Sequence, residues 1–284
     1  SVAIKSDDFA RRINVTEDPF NVFISGVDAR GGIEEVSRSD VNMIVTVNPE
    51  TREILLTSMP RDSYVPLHSN GMMDKLTHSG IYGIDETIKT VEDWLDVEIN
   101  YYFRVNFTML VTLVDAIGGI TVDSAFDFKS SVSEYSYVKG ENQLDGMAAL
   151  YFVRERKAFE DEDEERIRNQ QRVLKSILKK VSNSKVILTN YTDILNAVES
   201  HMETNMTNKD ISALVKMQLN DMSKWKIKTI SIDGDDAMMG TYSMGPGRPL
   251  FVSIPKEESV EAVKKEIHAV MYPAGGGEDE KESR

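Results

Sequence analysis

The sequence contains no cysteine. Disulfides, thiolate nucleophiles and Cys-ligated zinc or iron–sulfur centres are therefore excluded, although the absence assigns no compartment. Its four histidines, His68, His78, His201 and His268, are scattered, and neither a Ser/His/Asp arrangement nor a glycine-rich phosphate loop is present. Long apolar runs are missing too: nothing approaches the roughly 18 uninterrupted apolar residues that span a bilayer, and the first six residues lack a signal-peptide layout. Nor is there a basic excess. Lys plus Arg number 33 against 47 Asp plus Glu, a formal charge of −14, which argues against a protein held to nucleic acid by its overall field and leaves room only for local basic patches.

What is present suits a folded chain: 284 residues, 40% of them hydrophobic, are enough for a substantial core in one large domain or two small ones. Between about residues 18 and 272, apolar runs of strand length alternate with runs at helical spacing, the pattern of an α/β protein without internal repeats. Residues 275–284, glycine followed by charge, cannot bury apolar surface. The chain begins with Ser and not Met, which raises the expectation that a targeting or anchoring segment precedes it.

Residues 22–24 read as a short buried strand ending near Gly26; residues 41–47 and 52–59 read as a hairpin turned by Asn48-Pro49-Glu50-Thr51. Three helices are expected. Ile84, Ile88, Val91 and Leu95 mark the first; Phe107, Leu110, Val111, Val114 and Ile117, closed by Gly118-Gly119, mark the second; the third runs from Arg166 to about Val181. Beyond residue 185, residues 194–202, 211–219 and 260–271 look helical, 227–232 looks like a strand, and 240–249 reads as a turn-rich loop.

Because a hairpin reverses direction, the start of its first strand and the end of its second share one sheet edge. This gathers Asp28, Arg38, Asp40, Arg61 and Asp62 at one rim, where open α/β sheets commonly place ligands. Carboxylates without neighbouring His or Cys suit a hard cation such as Mg²⁺, and arginines beside them suit phosphate, whose oxygens match the planar guanidinium fork. A surface ion pair would explain Arg38 and Asp40 equally well. A second cluster tips the balance: Arg154-Glu155-Arg156, six consecutive acids at 160–165, then Arg166 to Gln171. If the third helix starts within the acids, Asp163, Arg166 and Gln170 share one face, continued by Val173 and Ile177, as a charged headgroup site leading to a greasy slot would require. Most of the acids read as a solvated loop complementing the helix dipole, whereas alternation along an extended segment would put Arg154 and Arg156 on one side. The Met72-Met73 and Met238-Met239 pairs read as loop or core filler, His78 as structural or exposed, and Trp94 as core.

At these residues the sequence resembles the LytR-CpsA-Psr family of bacterial cell-envelope proteins. The resemblance rests on ordered blocks at 20–30, Arg38-Ser39-Asp40, 58–65 with Pro60-Arg61-Asp62, Lys75-Leu76-Thr77-His78, 87–92, 101–107, 115–120 and 144–157, and covers about residues 18–182. Streptococcal capsule members are the most similar in the acid-rich run before Arg166. The resemblance implies a mixed central β-sheet flanked by helices on both faces, an α-β-α sandwich in a single large domain at 18–272, between an N-terminal linker (1–17) and a disordered acidic tail (273–284). It implies a phosphotransferase at the extracytoplasmic face of the bacterial cell membrane, anchored by an N-terminal transmembrane segment absent from this chain. Such an enzyme moves a glycopolymer, capsular polysaccharide or wall teichoic acid, from a polyprenyl-pyrophosphate carrier in membrane lipid to peptidoglycan. Carried over by position, Asp28 and Asp40 are metal ligands for Mg²⁺, with Mn²⁺ as a substitute, and Arg38, Arg61, Arg154, Arg156 and Arg166 bind pyrophosphate with Asp163 and Gln170. Arg61 would stabilise the transition state, and Asp28 or Asp62 would take the acceptor's proton. One departure stands out: many members carry arginine where this chain has Asn169, with Arg168 beside it. A non-catalytic lipid-pyrophosphate sensor and a lipid pyrophosphatase are the competing readings, and the apolar stripes at 84–95, 106–117 and 166–181 are candidate walls for an acyl tunnel or plain core.

Overall fold

Pleat alternation along six strands determines how the core is divided. The computed structural model describes residues 13–28 and 32–274, so Ala29 and Arg30, most of the expected linker and the expected tail from residue 275 lie outside the described residues. In chain order the central strands are β1 (Phe20–Val27), β2 (Val41–Asn48), β3 (Glu53–Met59), β4 (Tyr101–Asn106), β5 (Met202–Thr204) and β6 (Lys226–Ser231), arranged β5-β4-β1-β2-β3-β6. The β1-β2-β3 meander is antiparallel, β4 runs parallel to β1, β6 parallel to β3, and β5 antiparallel to β4. The sheet is thus mixed, as expected.

Its two faces carry separate cores. Phe20, Val22, Val45 and Tyr101 point to one face and Phe23, Ile44, Leu55 and Tyr102 to the other. Labelled in chain order, the helices are α1 (Leu76–Ser79), α2 (Ile84–Leu95), α3 (Phe107–Ala116), α4 (Gly146–Arg154), α5 (Asp163–Ser182), α6 (Asn208–Asp221) and α7 (Glu257–Met271), with two short helices, Lys185–Thr189 and Tyr191–Val198, between α5 and α6. Helices α2 and α7 cover the second face; α5 and α6 cover the first. A third core joins α3, α4 and the other side of α5 through Val114, Phe152, Val173 and Ile177. The result is an α-β-α sandwich.

Local chemistry sets the ends. The Asn106 side chain accepts from the Met109 N–H to start α3, and Gly118-Gly119 stop it at φ +83° and +81°, conformations that strain residues with a Cβ. Helix α5 begins with Asp163, Glu164 and Glu165 and ends with Lys179 and Lys180, both complementing its dipole.

Two expectations need correction. The helical pattern at 194–202 stops at Val198, and after one 3₁₀ turn Met202 enters β5, because the open edge of β4 offers backbone partners that outweigh local propensity. Residues 240–249 are mostly strand: β7 (Gly234–Thr241) and β8 (Gly245–Pro255) form a two-stranded ribbon, where Pro246 and Pro249 are tolerated because an edge strand has N–H positions that need no partner. On that ribbon Met238 and Met239 are exposed. Its tip is fastened by the buried Asp74 carboxylate, which accepts from the Ser243 N–H at 2.9 Å and pairs with His78 at 2.7 Å. Burial pushes the Asp74 carboxyl up, but its hydrogen bonds with His78 and Ser243 outweigh this and hold it below the usual carboxylate range.

Gly80, just after α1, has an ordinary φ of −64°, yet a Cβ there would lie 2.5 Å from the Ser37 carbonyl oxygen and 2.7 Å from the Ser39 nitrogen. Gly80→Ala should therefore destabilise the fold by about 1–3 kcal/mol in urea denaturation through overpacking alone. An unchanged midpoint and slope would show that the segment before β2 is not held against α1.

Candidate active site

The meander places its rim residues as strand reversal requires. Gly26 pairs with Val41, and the Asp40 N–H donates to the Gly26 carbonyl at 2.9 Å, so the end of β1 and the start of β2 lie side by side. Arg61 follows β3 at the same edge and meets the Asp40 carboxylate at 3.5 Å; the Thr77 hydroxyl donates to that carboxylate at 3.3 Å. Asp28 and Arg38 lie exposed at the same edge.

The second cluster converges on the first. Arg166 pairs with Asp163 at 3.1 Å, and Arg156 approaches Asp163 at 3.9 Å. Burial lowers the Arg166 guanidinium below the ordinary arginine value, and the charges of Arg61 and Arg156 add to this, while Asp163 and Asp40 act against it. Helix α5 is anchored over the strand ends by Gln171, which donates to Ser58, Ser231 and the Ile230 carbonyl. Arg166 Nε is buried without a hydrogen-bond partner, while Asp163 Oδ1 is buried against the Arg166 and Arg156 guanidinium groups as their counter-charge. A buried donor left unused, flanked by further guanidinium groups, suits an oxyanion that accepts from several of them at once.

The remaining expected members have surroundings of their own. Arg154 closes α4 instead of lying on an extended segment, and its exposed guanidinium sits 4.9 Å over the Phe107 ring. Between Arg154 and Arg156 the chain turns inward at buried Glu155, which accepts from Ser131 and Ala158. Gln170 follows Arg166 one turn along α5 and is half-buried. Asp62 accepts from Lys75 at 3.0 Å, both side chains being largely buried. Arg168 does not turn to the cluster: it pairs with Glu165 at 2.7 Å and also with Asp161, while the buried Asn169 oxygen accepts from Arg172.

Sequence reasoning missed Arg104 and Gln171. Buried Arg104 donates to the carbonyls of Ile33 and Glu35 and pairs with Glu203 at 3.7 Å, tying down the segment that leads to Arg38. Its signal was a lone arginine inside the apolar strand 101–106, since a buried guanidinium must be paired. Gln171 carried no comparable signal.

Among the described residues, no group of three or more His, Cys, Asp or Glu side chains could by itself hold a metal. The oxygen donors of Asp28 and Asp40 nevertheless fit Mg²⁺, which takes one or two carboxylates and completes its shell with water and phosphate oxygens. Two cavities bear on the site, and the first shares Arg156 and Asp163 with the cluster. A polar groove of about 610 Å³ includes Pro60, Asp62, Arg156, Asp163, Asp236 and Phe251 in its lining. An apolar cavity of about 340 Å³ lies between the first face of the sheet and helices α5 and α6, with Ile24, Phe103, Leu174, Leu178, Leu214 and Trp225 in its wall. Arg166, Gln170, Leu174 and Leu178 succeed one another at four-residue spacing, so one stripe of α5 passes from guanidinium to hydrocarbon. Val173 and Ile177, on the neighbouring stripe, enter the third core; Ile88, Val91 and Leu95 of α2 are core as well, and from the α3 stripe Val114 and Ile117 join the third core.

Residues 2–260 match the family model described as LytR_cpsA_psr family. The chain is 38% identical over 195 residues to the polyisoprenyl-teichoic acid–peptidoglycan teichoic acid transferase TagU of Bacillus licheniformis, covering 68% of this chain and 62% of that protein, so it spans less than two thirds of the relative's length. The crystal structure of TagV from B. subtilis superimposes with a TM-score of 0.75 at 29% identity, covering 90% of this chain and 98% of that one. A structure described as TagT bound to LIIa-WTA gives a TM-score of 0.72 at 28% identity, covering 91% and 93%.

The contrast between Arg166 and Arg168 yields a binding test. Arg166→Gln should weaken binding of inorganic pyrophosphate about tenfold or more in calorimetry, because a charge-assisted contact in a desolvated site is lost. Arg168→Gln should change it by less than about twofold, since the Arg168 guanidinium is already engaged by Glu165 and Asp161. Equal losses would place Arg168 in the cluster.

Proposed function

The chain belongs to the LytR-CpsA-Psr family, and from that premise we propose that it is a Mg²⁺-dependent phosphotransferase moving a glycopolymer from a polyprenyl-pyrophosphate carrier to peptidoglycan. The observation that carries the reading is the stripe on α5, which holds Arg166 of the guanidinium cluster at one end and, two and three turns on, Leu174 and Leu178 in the wall of an apolar cavity suited to a hydrocarbon chain. A nucleotide or sugar phosphate would need no such slot. Wall teichoic acid is the favoured cargo because the relative TagU is named a teichoic acid transferase and TagT is described as bound to LIIa-WTA; capsular polysaccharide is the other candidate.

In this reading residues 18–272 form the catalytic domain, and Arg38, Arg61, Arg154, Arg156 and Arg166, with Asp163 and Gln170, bind and orient the pyrophosphate. Mg²⁺, or Mn²⁺ in its place, would be held by Asp28 and Asp40 and would offset charge on the phosphates. An acceptor sugar hydroxyl attacks the phosphorus attached to the glycopolymer; the new oxygen–phosphorus bond forms as the bond to polyprenyl phosphate breaks. Arg61, already at Asp40, is placed to stabilise the charge developing on the transferred phosphoryl oxygens. The hydroxyl proton goes to a rim carboxylate, and the engagement of Asp62 by Lys75 favours Asp28. The polar groove, rich in carboxylates, repels anionic polymer and so suits the approach of a neutral acceptor glycan. Among the described residues no helix is long and apolar enough to cross a membrane; the extracytoplasmic location and a membrane anchor preceding this chain belong to the proposal.

Incubation with Mg²⁺, a polyprenyl-pyrophosphate-linked saccharide and peptidoglycan fragments should give covalent saccharide–peptidoglycan product, detected by mass spectrometry. The Asp28→Ala, Asp40→Ala enzyme should give none, and Arg61→Ala should lower kcat by about 10²-fold or more. Lipid binding without transfer would instead favour a sensor, and release of phosphorylated saccharide without acceptor would favour a lipid pyrophosphatase.

A further inference from the structure

Segment 75–77 runs alongside the rim and contacts both strand ends. On one side the Thr77 N–H donates to the Arg61 carbonyl at 2.8 Å, the Leu76 N–H to the Ser63 carbonyl at 2.9 Å, and the Lys75 ammonium to Asp62 at 3.0 Å. On the other side the Thr77 carbonyl accepts from the Ser39 N–H at 3.1 Å, and its hydroxyl donates to Asp40 at 3.3 Å. One buried residue therefore joins the loop after β3 to the lead-in of β2. Its own position is over-determined, because the next residue, His78, pairs with buried Asp74 at 2.7 Å, and Ser79 bonds Thr87 at 2.8 Å.

We infer that Thr77 is the positioning residue that sets the Asp40 carboxylate relative to Arg61 at the rim. The inference rests on the reading of that rim as a cation and pyrophosphate site. Asp40 Oδ1 receives two donors, the Thr77 hydroxyl and, at a longer 3.5 Å, an Arg61 nitrogen. A carboxylate and a guanidinium left to themselves close into a two-bond fork. In that fork both Asp40 oxygens face Arg61, and Arg61 spends two donors on Asp40, so neither group is free for cation or phosphate. The Thr77 hydroxyl occupies one lone pair of the shared oxygen, holds the pair short of the fork, and leaves the second oxygen of Asp40 and the remaining Arg61 donors available. The hydroxyl performs this task, and the methyl group does not contribute.

The test is Mn²⁺ binding in the presence of inorganic pyrophosphate, followed by electron paramagnetic resonance, on wild type, Thr77→Val and Thr77→Ser, with thermal unfolding of each. Val keeps the shape and removes the donor; Ser keeps the donor. Thr77→Val should weaken Mn²⁺ binding about tenfold or more, in the range seen when a group orienting a metal ligand is lost, while Thr77→Ser stays within about threefold of wild type. If Thr77→Val proves unstable, Thr77→Ala replaces it against the same Ser control. Wild-type affinity in a folded Thr77→Val, or equal damage in Thr77→Ser, would overturn the inference, as would a wild type that binds no Mn²⁺ with pyrophosphate. A wild type whose Mn²⁺ affinity depends on the hydroxyl but which transfers no saccharide would leave the inference standing and remove the transferase reading.

Discussion

The Arg166 guanidinium, buried at the edge of a sheet within the field of Arg61 and Arg156, is the constraint on which the site depends. Like charges brought together with partial loss of water are tolerated only where counter-charges are fixed among them. Asp40 and Asp163 are those counter-charges, each supplied by a different element: Asp40 by the lead-in to β2, Asp163 by the first turn of α5. Each carboxylate is placed by backbone, Asp40 through its N–H on Gly26 and Asp163 through the helix that Gln171 pins to the strand ends. The cluster is thus a repulsive arrangement held by the fold, and it is poised for an anion that relieves it.

Helix α5 joins that electrostatic arrangement to an apolar surface. Its 20 residues reach across the sheet, about 30 Å at 1.5 Å per residue, carrying charge at one end and a hydrocarbon-lined stripe along the remainder. The adjacent stripe, 100° round, is committed to the third core and keeps the helix from rotating. The charged end and the apolar stripe are therefore rigidly coupled, an arrangement that would suit the proposed ligand, an amphiphile with a compact anionic head. The acid-rich segment before the helix keeps Arg168 occupied and so limits which arginines can reach the cluster.

Much of this was legible in the amino-acid order. The hairpin at 41–59 was visible from alternation and its turn residues, and strand reversal alone then brought Asp40 and Arg61 to one edge; the structure adds their contact. The face shared by Asp163 and Arg166 followed from helical spacing. What was not legible depended on partners far along the chain. Nothing local shows that Met202 pairs with Val105, that Gln171 reaches Ser58 and Ser231, or that Leu174 and Leu178, and not Val173 and Ile177, face the cavity. Two adjacent stripes of one helix look alike until their neighbours are known.

The sequence by itself determined the α/β class, the hairpin at 41–59 and the sets of charges that could share an edge or a helix face, because each of these is settled by periodicities of two and 3.6 residues and by turn chemistry. Only the tertiary structure decided that the two charged sets converge, that Arg154 lies over Phe107 and Arg168 pairs with Glu165, and that Thr77 joins the loop after β3 to the lead-in of β2. Those outcomes depend on how separate elements pack across the sheet, and packing is a property of surfaces brought together from distant parts of the chain, which no local pattern encodes.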